Sequence, residues 1–232
     1  MSGIVVFGAG GRAGRAVTGE ARQRGYEVTA VVREPSRYPD LGADGVTVVR
    51  GDVTDRESAR AVVGGHVAAV HAVSPFSGPE QGFDTLDPEF FVRAADALLE
   101  GLAGEGVGRL VAVGLFANQL GADGRPVMDD PAVFPPEFRP FALAHAAGLE
   151  RLRRDGESEA VDWVMLTPGG GLEQGAPRTG RYGWGEERVF GGGPESGPSV
   201  LSYADLAVAV VDEVEAPSRH RVRVSVVGAV GE

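Results

Sequence analysis

The sequence feature that most constrains the fold is a glycine-rich turn near the start of the chain, within MSGIVVFGAGGRAGRA. An apolar run at residues 4–7 leads into the glycines, and residues 16, 17 and 21 then have the spacing of a buried helix face. A strand, a glycine turn and a helix in that order are the setting of a dinucleotide-binding turn. Its glycines permit a tight turn, close approach of the backbone to a pyrophosphate, and close packing of the helix on the strand. The predicted contacts are Gly8, Gly10, Gly11, Arg12, Ala13 and Gly14.

The rest of the chain alternates between short apolar runs and segments with helical periodicity. Strands are predicted at residues 27–32, 45–50, 67–73, 109–114, 162–166 and 222–227, and helices at 56–63, 87–103, 140–154 and 206–214. This alternation predicts an α/β fold with a doubly wound parallel sheet, in a single domain of residues 1–232. Within it, residues 168–232 are expected to contribute a small lobe on the substrate side.

Residues 168–198 contain too many glycines for regular structure to be expected. Two interpretations remain open for this region. Tyr182 and Trp184 are stacking surfaces that shape a substrate pocket, or the region is a flexible surface excursion.

The residue that follows the second strand indicates the type of dinucleotide. Proteins that bind NAD commonly carry an acidic side chain there, which holds the ribose 2′-hydroxyl. This chain has Arg33 instead, and Arg12 and Arg37 are placed to reach the same region. Because a guanidinium group suits a phosphate, these arginines favour NADP(H) over NAD(H). The alternative is that Arg33 and Arg37 are ordinary surface charges.

Further contacts are predicted where other strands end, because open parallel sheets bind ligands at the carboxyl ends of their strands. These predicted contacts are Asp52, Val53, Ser74, Pro75, Pro168 and Gly169. Thr54 or Asp55 is predicted to cap the helix that follows the third strand. His71 lies inside the fourth strand and is expected to be a core histidine with its hydrogen bonds satisfied.

Composition argues against several classes of function. The net charge of −11 opposes binding to nucleic acid, which depends on neutralising phosphates. The chain has no cysteine and no histidine pair with the spacing of a metal site. It has no apolar run of about eighteen residues and no signal-peptide pattern before the first strand. We therefore expect a cytoplasmic monomer or homodimer that acts on a small molecule, with neither membrane nor nucleic acid as a partner.

Several stretches resemble a known family. The glycine turn, GDVTD at residues 51–55 and GGHVAAV at 64–70 resemble atypical short-chain dehydrogenases. Towards the end of the chain, DWVMLTP, PRTGRYGWGEE and LSYADLAVAVVDEVEAP resemble the NADH–flavin reductase branch, which has NmrA-like relatives. The resemblance implies an NAD(P)-binding Rossmann fold, binding of NAD(P)H and reduction of a flavin or a similar acceptor.

In that family, a Tyr-x-x-x-Lys motif on the helix after the fifth strand and a serine at the end of that strand carry the chemistry. The corresponding positions here are Phe141 and His145, with Asn118 near the serine position. Phe141 has no proton to donate, and all 22 basic residues are arginine, so no lysine can assist. The usual tyrosine route of carbonyl reduction is therefore not expected. His145 is a candidate acid or orienting donor, or else a packing residue on its helix.

Three hypotheses follow. The first is an NADPH-dependent reductase of a flavin, quinone or similar conjugated acceptor, which tolerates the missing tyrosine because the acceptor spreads the negative charge and solvent supplies the proton. The second is an NmrA-like protein that senses NADP without turning it over. The third is a reductase or isomerase that tailors a natural product.

Overall fold

The structure, a computed structural model, describes residues 2–76, 86–121, 123–154, 160–170, 172–185 and 200–229. The strands are β1 (Gly3–Phe7), β2 (Glu27–Val32), β3 (Val46–Arg50), β4 (His66–His71), β5 (Arg109–Val113), β6 (Asp162–Pro168), β7 (Leu172–Glu173), β8 (Tyr182–Gly185), β9 (Leu201–Ser202) and β10 (Val222–Gly228). The helices are α1 (Arg12–Gln23), α2 (Arg56–Val63), α3 (Phe90–Gly104), α4 (Arg139–Arg153) and α5 (Tyr203–Glu215). Every predicted strand and helix is therefore present.

Eight strands form one sheet in the order β3-β2-β1-β4-β5-β6-β10-β8. All neighbours are parallel except β8, which runs antiparallel to β10. The chain leaves β3 at one end of the sheet and returns on the other side of β1, so the strand order reverses between β1 and β4. Ligands bind at such a reversal, beyond the carboxyl ends of the strands. The predicted doubly wound parallel sheet is confirmed, with one antiparallel strand at its end.

Helices cover both faces of the sheet. On one face α1 and α5 pack together, and Val17 and Val210 share a buried cluster with Ile4 of β1. On the other face α2, α3 and α4 bury Leu98 and Leu149 against the sheet. Because both faces are covered, the central strands are apolar on both sides, as expected of a parallel sheet.

The glycine-rich region after β6 contains strands, so the prediction that it lacks regular structure is wrong for its described part. β7 pairs with β9 in a two-stranded sheet, and β8 joins the main sheet. The Tyr182 hydroxyl donates a hydrogen bond to Asp212 of α5 at 2.6 Å, and the Arg219 guanidinium lies 3.6 Å from the centre of a Trp184 ring. These contacts fasten β8 to α5 and the following turn. Residues 186–199 lie outside the described residues.

The segment that precedes β8 is held against α1 and α5. Arg178 donates two hydrogen bonds of 2.9 Å to the buried Glu20 of α1 and thereby lowers the pKa of that carboxyl group. Asp205 of α5 accepts hydrogen bonds from the backbone and hydroxyl of Thr179 and from the backbone of Gly180. The segment at residues 178–180 is therefore fixed to the helical layer.

At the amino ends of the strands, a buried ion pair joins β5 to α5. Arg109 donates to Glu213 at 2.7 Å and to Asp162 at 2.6 Å, and the Glu213 side chain is only 2% exposed. Burial alone would raise the pKa of Glu213, but hydrogen bonds from Ser218 and the backbone, together with the charge of Arg109, lower it. Glu213 is therefore ionised, and its ion pair with Arg109 holds α5 to β5 at the amino ends of the strands, away from the candidate site.

Candidate active site

The glycine turn between β1 and α1 lies at the reversal of strand order. Gly8 has a φ of +83°, and a Cβ there would come within 2.6 Å of the Ala72 carbonyl oxygen after β4. A Cβ on Gly14 would overlap the backbone of Gly8 and Ala9. The sequence prediction assigned a tight turn to Gly8 and close helix packing to Gly14, and the structure gives both residues those roles.

The start of α1 offers unpaired backbone donors. The Arg15 N–H donates to the Gly11 carbonyl at 2.9 Å, so the N–H groups of Arg12, Ala13 and Gly14 precede the first hydrogen bond of the helix. Gly11 supplies no side-chain cap, and the first turn carries no acidic residue. A helix start with free N–H groups and no acid fits a phosphate group. The turn therefore fits the pyrophosphate of a dinucleotide.

A second segment, residues 33–41, folds back onto this turn. A Cβ on Gly10 would come within 2.5 Å of the Tyr38 ring, so the ring lies directly against that α-carbon. Arg15 donates to the Gly10 carbonyl at 3.1 Å and to Asp40 at 2.6 Å, with its guanidinium 5.8 Å from the Tyr38 ring centre. Leu41 then enters the core. These contacts form a brace (Arg15, Tyr38 and Asp40) that fixes the segment, and the sequence analysis missed it.

The three arginines predicted to select the cofactor are exposed beside this turn. Arg12 begins α1, Arg33 follows β2, and Arg37 ends a short 3₁₀ turn at Pro35–Arg37. Neither Arg12 nor Arg33 makes an ion pair with a described residue, whereas Arg37 lies 3.7 Å from Glu34. The brace uses Arg15 and leaves these three guanidinium groups on the surface next to the turn.

The loop after β3 has a local role as well as a candidate role. Asp52 accepts hydrogen bonds from the backbone and hydroxyl of Thr54 at 2.9 and 2.7 Å through one carboxylate oxygen. Asp55 accepts from the Ser58 N–H at 2.7 Å, so Asp55 is the residue that caps α2. Val53 is 4% exposed, and its side chain packs in the core.

The contacts predicted beyond β4 and β6 also lie at the carboxyl ends of their strands. The Ser74 hydroxyl bonds to the backbone of Phe76 and stabilises the turn through Pro75. Pro168 is the last residue of β6, and the Gly169 N–H donates to the Val226 carbonyl at 2.8 Å. A Cβ on Gly169 would come within 2.5 Å of Val227, so this position also requires a small residue.

The two candidate catalytic residues are buried. Asn118 is 8% exposed, and its side-chain amide donates to the Ala142 carbonyl of α4 at 2.8 Å. His145 is also 8% exposed, with its ring centre 4.1 Å from that of Phe91. Burial, with a smaller contribution from His71, lowers the pKa of His145 to about 3. The imidazole is therefore neutral near pH 7 and does not supply a proton as an imidazolium acid, so the packing alternative describes its contacts.

His71 differs from the prediction that its hydrogen bonds are satisfied. The ring is buried, and its Nδ1 has no hydrogen-bond partner among the described residues. Burial lowers its pKa to about 4. His71 and His145 line the same small cavity of about 20 Å³, together with Phe91 and Met165. Both histidines are thus neutral members of the apolar core.

The sequence analysis also missed an aromatic cluster at the carboxyl ends of β4 and β5. The ring centre of Phe76 lies 5.8 Å from that of Phe138 and 5.4 Å from that of Phe141. Phe141 is largely buried, whereas Phe76, Phe138 and Leu115 are half-buried. The signal available in the sequence was an aromatic residue directly after each of the Ser-Pro and Pro-Pro-Glu turns, at residues 74–76 and 135–138.

Membrane-spanning helices and metal sites are both absent from the described ranges. No helix there is both long and apolar enough to cross a membrane. The same residues contain no group of three side chains that could hold a metal ion.

Comparison with known proteins extends over nearly the whole chain. A family model described as NAD(P)H-binding matches residues 8–217. The chain is 32% identical over 230 residues to the uncharacterized protein YwnB of Bacillus subtilis (strain 168), a match that covers 97% of each protein.

Solved structures are also similar to the chain over nearly its whole length. A candidate epimerase from Bacteroides thetaiotaomicron has a TM-score of 0.83 at 29% identity, covering 100% of this chain and 99% of that one. A candidate NADH–flavin reductase from Streptococcus pneumoniae TIGR4 has a TM-score of 0.79 at 26% identity, covering 99% of this chain and 100% of that one.

Proposed function

The chain belongs to the NAD(P)H-binding family, and from that premise we propose that it is an NADPH-dependent reductase whose hydride acceptor is a flavin, a quinone or another conjugated compound. The observation that carries the proposal is the glycine turn at the strand reversal, where free N–H groups of α1 lie beside exposed arginines. The solved candidate NADH–flavin reductase of S. pneumoniae, similar over its full length, supports the choice of acceptor.

The preference for NADPH rests on charge. A 2′-phosphate carries up to two negative charges, and guanidinium groups bind phosphate through charge-assisted hydrogen bonds. Arg33 would hold this phosphate, with Arg12 and Arg37 beside it, and the brace keeps their segment next to the glycine turn. No acidic residue occupies the position after β2, where an NAD-binding protein would carry one.

The chemistry follows from what the site lacks. When bound, NADPH supplies a hydride. On α4, Phe141 has no hydroxyl group, and the buried His145 is neutral near pH 7, so neither residue supplies the acid of the usual tyrosine route. A conjugated acceptor delocalises the charge that it gains and takes its proton from solvent. The chain's own contribution is to bind and orient the two reactants and to exclude water through the half-buried aromatic residues.

The test is oxidation of NADPH followed at 340 nm across a panel of flavins, quinones and simple ketones. We expect turnover with conjugated acceptors and none with ketones. Turnover of ketones at rates equal to those of quinones would contradict the proposal.

The buried His145 and Phe141 also favour a second candidate, an NADP-sensing protein without activity. Tight binding of NADP(H) together with no turnover of any acceptor would support this sensor and reject the reductase. Calorimetric titration of the same protein preparation measures that binding independently of chemistry.

A further inference from the structure

The exposed side chains near the glycine turn differ in charge and polarity from those beyond the carboxyl ends of β4 and β5. Around the turn, exposed arginines outnumber the exposed acids Glu34 and Asp40, and each of these acids lies beside an arginine. Beyond the carboxyl ends of β4 and β5 lies an apolar wall, which we define as Phe76, Leu115, Phe138 and Phe141. Three of these four side chains are half-buried and therefore keep exposed apolar surface beyond the carboxyl ends of the strands. The Phe76 ring meets those of Phe138 and Phe141 at 71° and 38°, so the wall offers apolar ring faces and edges, and such a surface favours a planar conjugated molecule.

The loop that leads to Phe138 of this wall is acidic. Residues 123–139 contain four acidic residues and two arginines. Both arginines are bound within the loop, Arg125 to Asp123 at 2.7 Å and Arg139 to Asp129 at 3.0 Å. In this described part of the chain, Asp130 and Glu137 are therefore left without an ion pair.

The two remaining acids lie next to the aromatic residues. The Asp130 carbonyl accepts the Phe134 N–H at 2.9 Å, and the Phe134 ring lies 6.0 Å from that of Phe138. Glu137 directly precedes Phe138 in the 3₁₀ turn Pro136–Phe138. Both acids are exposed, so their negative charge acts on whatever approaches the wall from solvent.

From this arrangement we propose that the acceptor is an uncharged planar conjugated compound, and that Asp130 and Glu137 select against acceptors that carry phosphate or sulfonate groups. The inference rests on the proposed function and narrows it. The site thus separates two reactants by charge: arginines attract the phosphorylated cofactor on one side, and carboxylates repel anionic acceptors on the other.

Riboflavin and FMN are matched probes because they differ only in a phosphate group. Their dissociation constants are measured from quenching of flavin fluorescence on the protein with NADP⁺ present, a readout that needs no turnover. We expect riboflavin to bind about tenfold more tightly than FMN at low ionic strength, with the ratio falling as salt screens the carboxylates. Equal binding, tighter binding of FMN, or no binding of either flavin would overturn the inference.

The acids are tested by the double variant Asp130→Asn with Glu137→Gln. Its ratio of FMN to riboflavin dissociation constants should fall to about twofold, because the repulsive charges are gone. Asp44→Asn is the matched control, since Asp44 is an exposed acid that precedes β3, an outer strand of the sheet, and it should leave the ratio unchanged. A double variant with the wild-type ratio would contradict the role of the two acids.

The wall is tested by Phe76→Leu, which keeps an apolar side chain but removes the ring. We expect both flavins to bind about fivefold more weakly with an unchanged ratio between them, and unaltered flavin binding would reject a role for the wall in binding.

These results are distinguishable from failure of the proposed function. A protein that prefers riboflavin in binding but oxidises NADPH with no acceptor would reject the reductase and leave the charge selection standing.

Discussion

The Tyr38 ring packs against the α-carbon of Gly10, so that a side chain at residue 10 would come within 2.5 Å of the ring. Two segments that are distant in sequence order, the glycine turn and the loop after β2, are thereby fixed relative to each other. Arg15 completes the attachment by bonding to both Gly10 and Asp40. The position of Arg33 and Arg37 relative to the turn therefore depends on a glycine whose missing side chain leaves room for the Tyr38 ring.

Gly10→Ala should displace Tyr38 and weaken NADPH binding more than NADH binding. The added methyl group moves the arginine-bearing loop, on which only the 2′-phosphate depends. We expect a loss of about tenfold for NADPH, as for one charge-assisted hydrogen bond, measured by calorimetric titration with both cofactors. Gly19→Ala is the control, because a Cβ there meets no atom within 4 Å; it should leave both affinities unchanged and stabilise α1 slightly.

Arg33→Ala tests the assignment of the cofactor directly. Removing a guanidinium that binds phosphate should cost about 1–3 kcal/mol in NADPH binding and leave NADH binding nearly unchanged. Arg22→Ala removes an exposed arginine near the other end of α1 and should affect neither cofactor. If Arg33→Ala weakened NADPH and NADH equally, the preference for NADP(H) would have to be abandoned.

The buried histidines predict a loss of stability in mild acid. In the folded protein His71 has a pKa of about 4 and His145 of about 3, both below the ordinary value of 6.5. At pH values between the lowered pKa values and 6.5, the unfolded chain binds protons that the folded protein does not. The free energy of unfolding therefore falls as pH decreases from about 6.5. Each group contributes a slope of up to about 1.4 kcal/mol per pH unit.

Urea denaturation at several pH values measures this effect. Carboxylates such as Glu20 and Glu213, whose pKa values are lowered, lose their contribution only below the ordinary carboxyl range, so the window from pH 5 to 6.5 reports mainly on histidine. His145→Leu should flatten the profile in that window. A wild-type protein equally stable at pH 5 and pH 7 would show that the histidines are not held neutral.

Glu213→Gln should destabilise the fold, because it leaves Arg109 buried with a weakened partner. Breaking a buried ion pair costs about 3–5 kcal/mol, and the remaining bond from Arg109 to Asp162 favours the lower end. Glu215→Gln removes a more exposed carboxylate that pairs with Arg24 and should cost less than about 1 kcal/mol. Thermal unfolding followed by circular dichroism compares the two, and equal costs would contradict the importance of burial.

The sequence alone predicted the sheet and its helices because each element carries its own local signal. β1 is an unbroken apolar run, and the repeated alternation of strand and helix leaves few topologies to choose from. The roles of Gly8 and Gly14 were equally predictable, since the backbone geometry of a strand, turn and helix unit demands residues without a side chain there.

Other features depend on contacts that no local pattern records. β8 reads YGWG, a poor strand by propensity, and exists because its backbone pairs with β10 some forty residues later, as in the register of Ser225 with Gly185. The packing of Tyr38 on Gly10 is likewise a contact between separate segments. For His145 the sequence left catalysis and packing open, because helical spacing alone does not reveal how deeply a residue is buried.

The short antiparallel strand β8 also affects how this protein meets its own copies. An open sheet ends in a row of backbone donors and acceptors to which another chain can add a strand. At this end the row is only four residues long, reversed in direction, half glycine, and flanked by bulky Tyr182 and Trp184. Such an edge strand is a poor template for further strands, so β8 disfavours aggregation through this edge of the sheet.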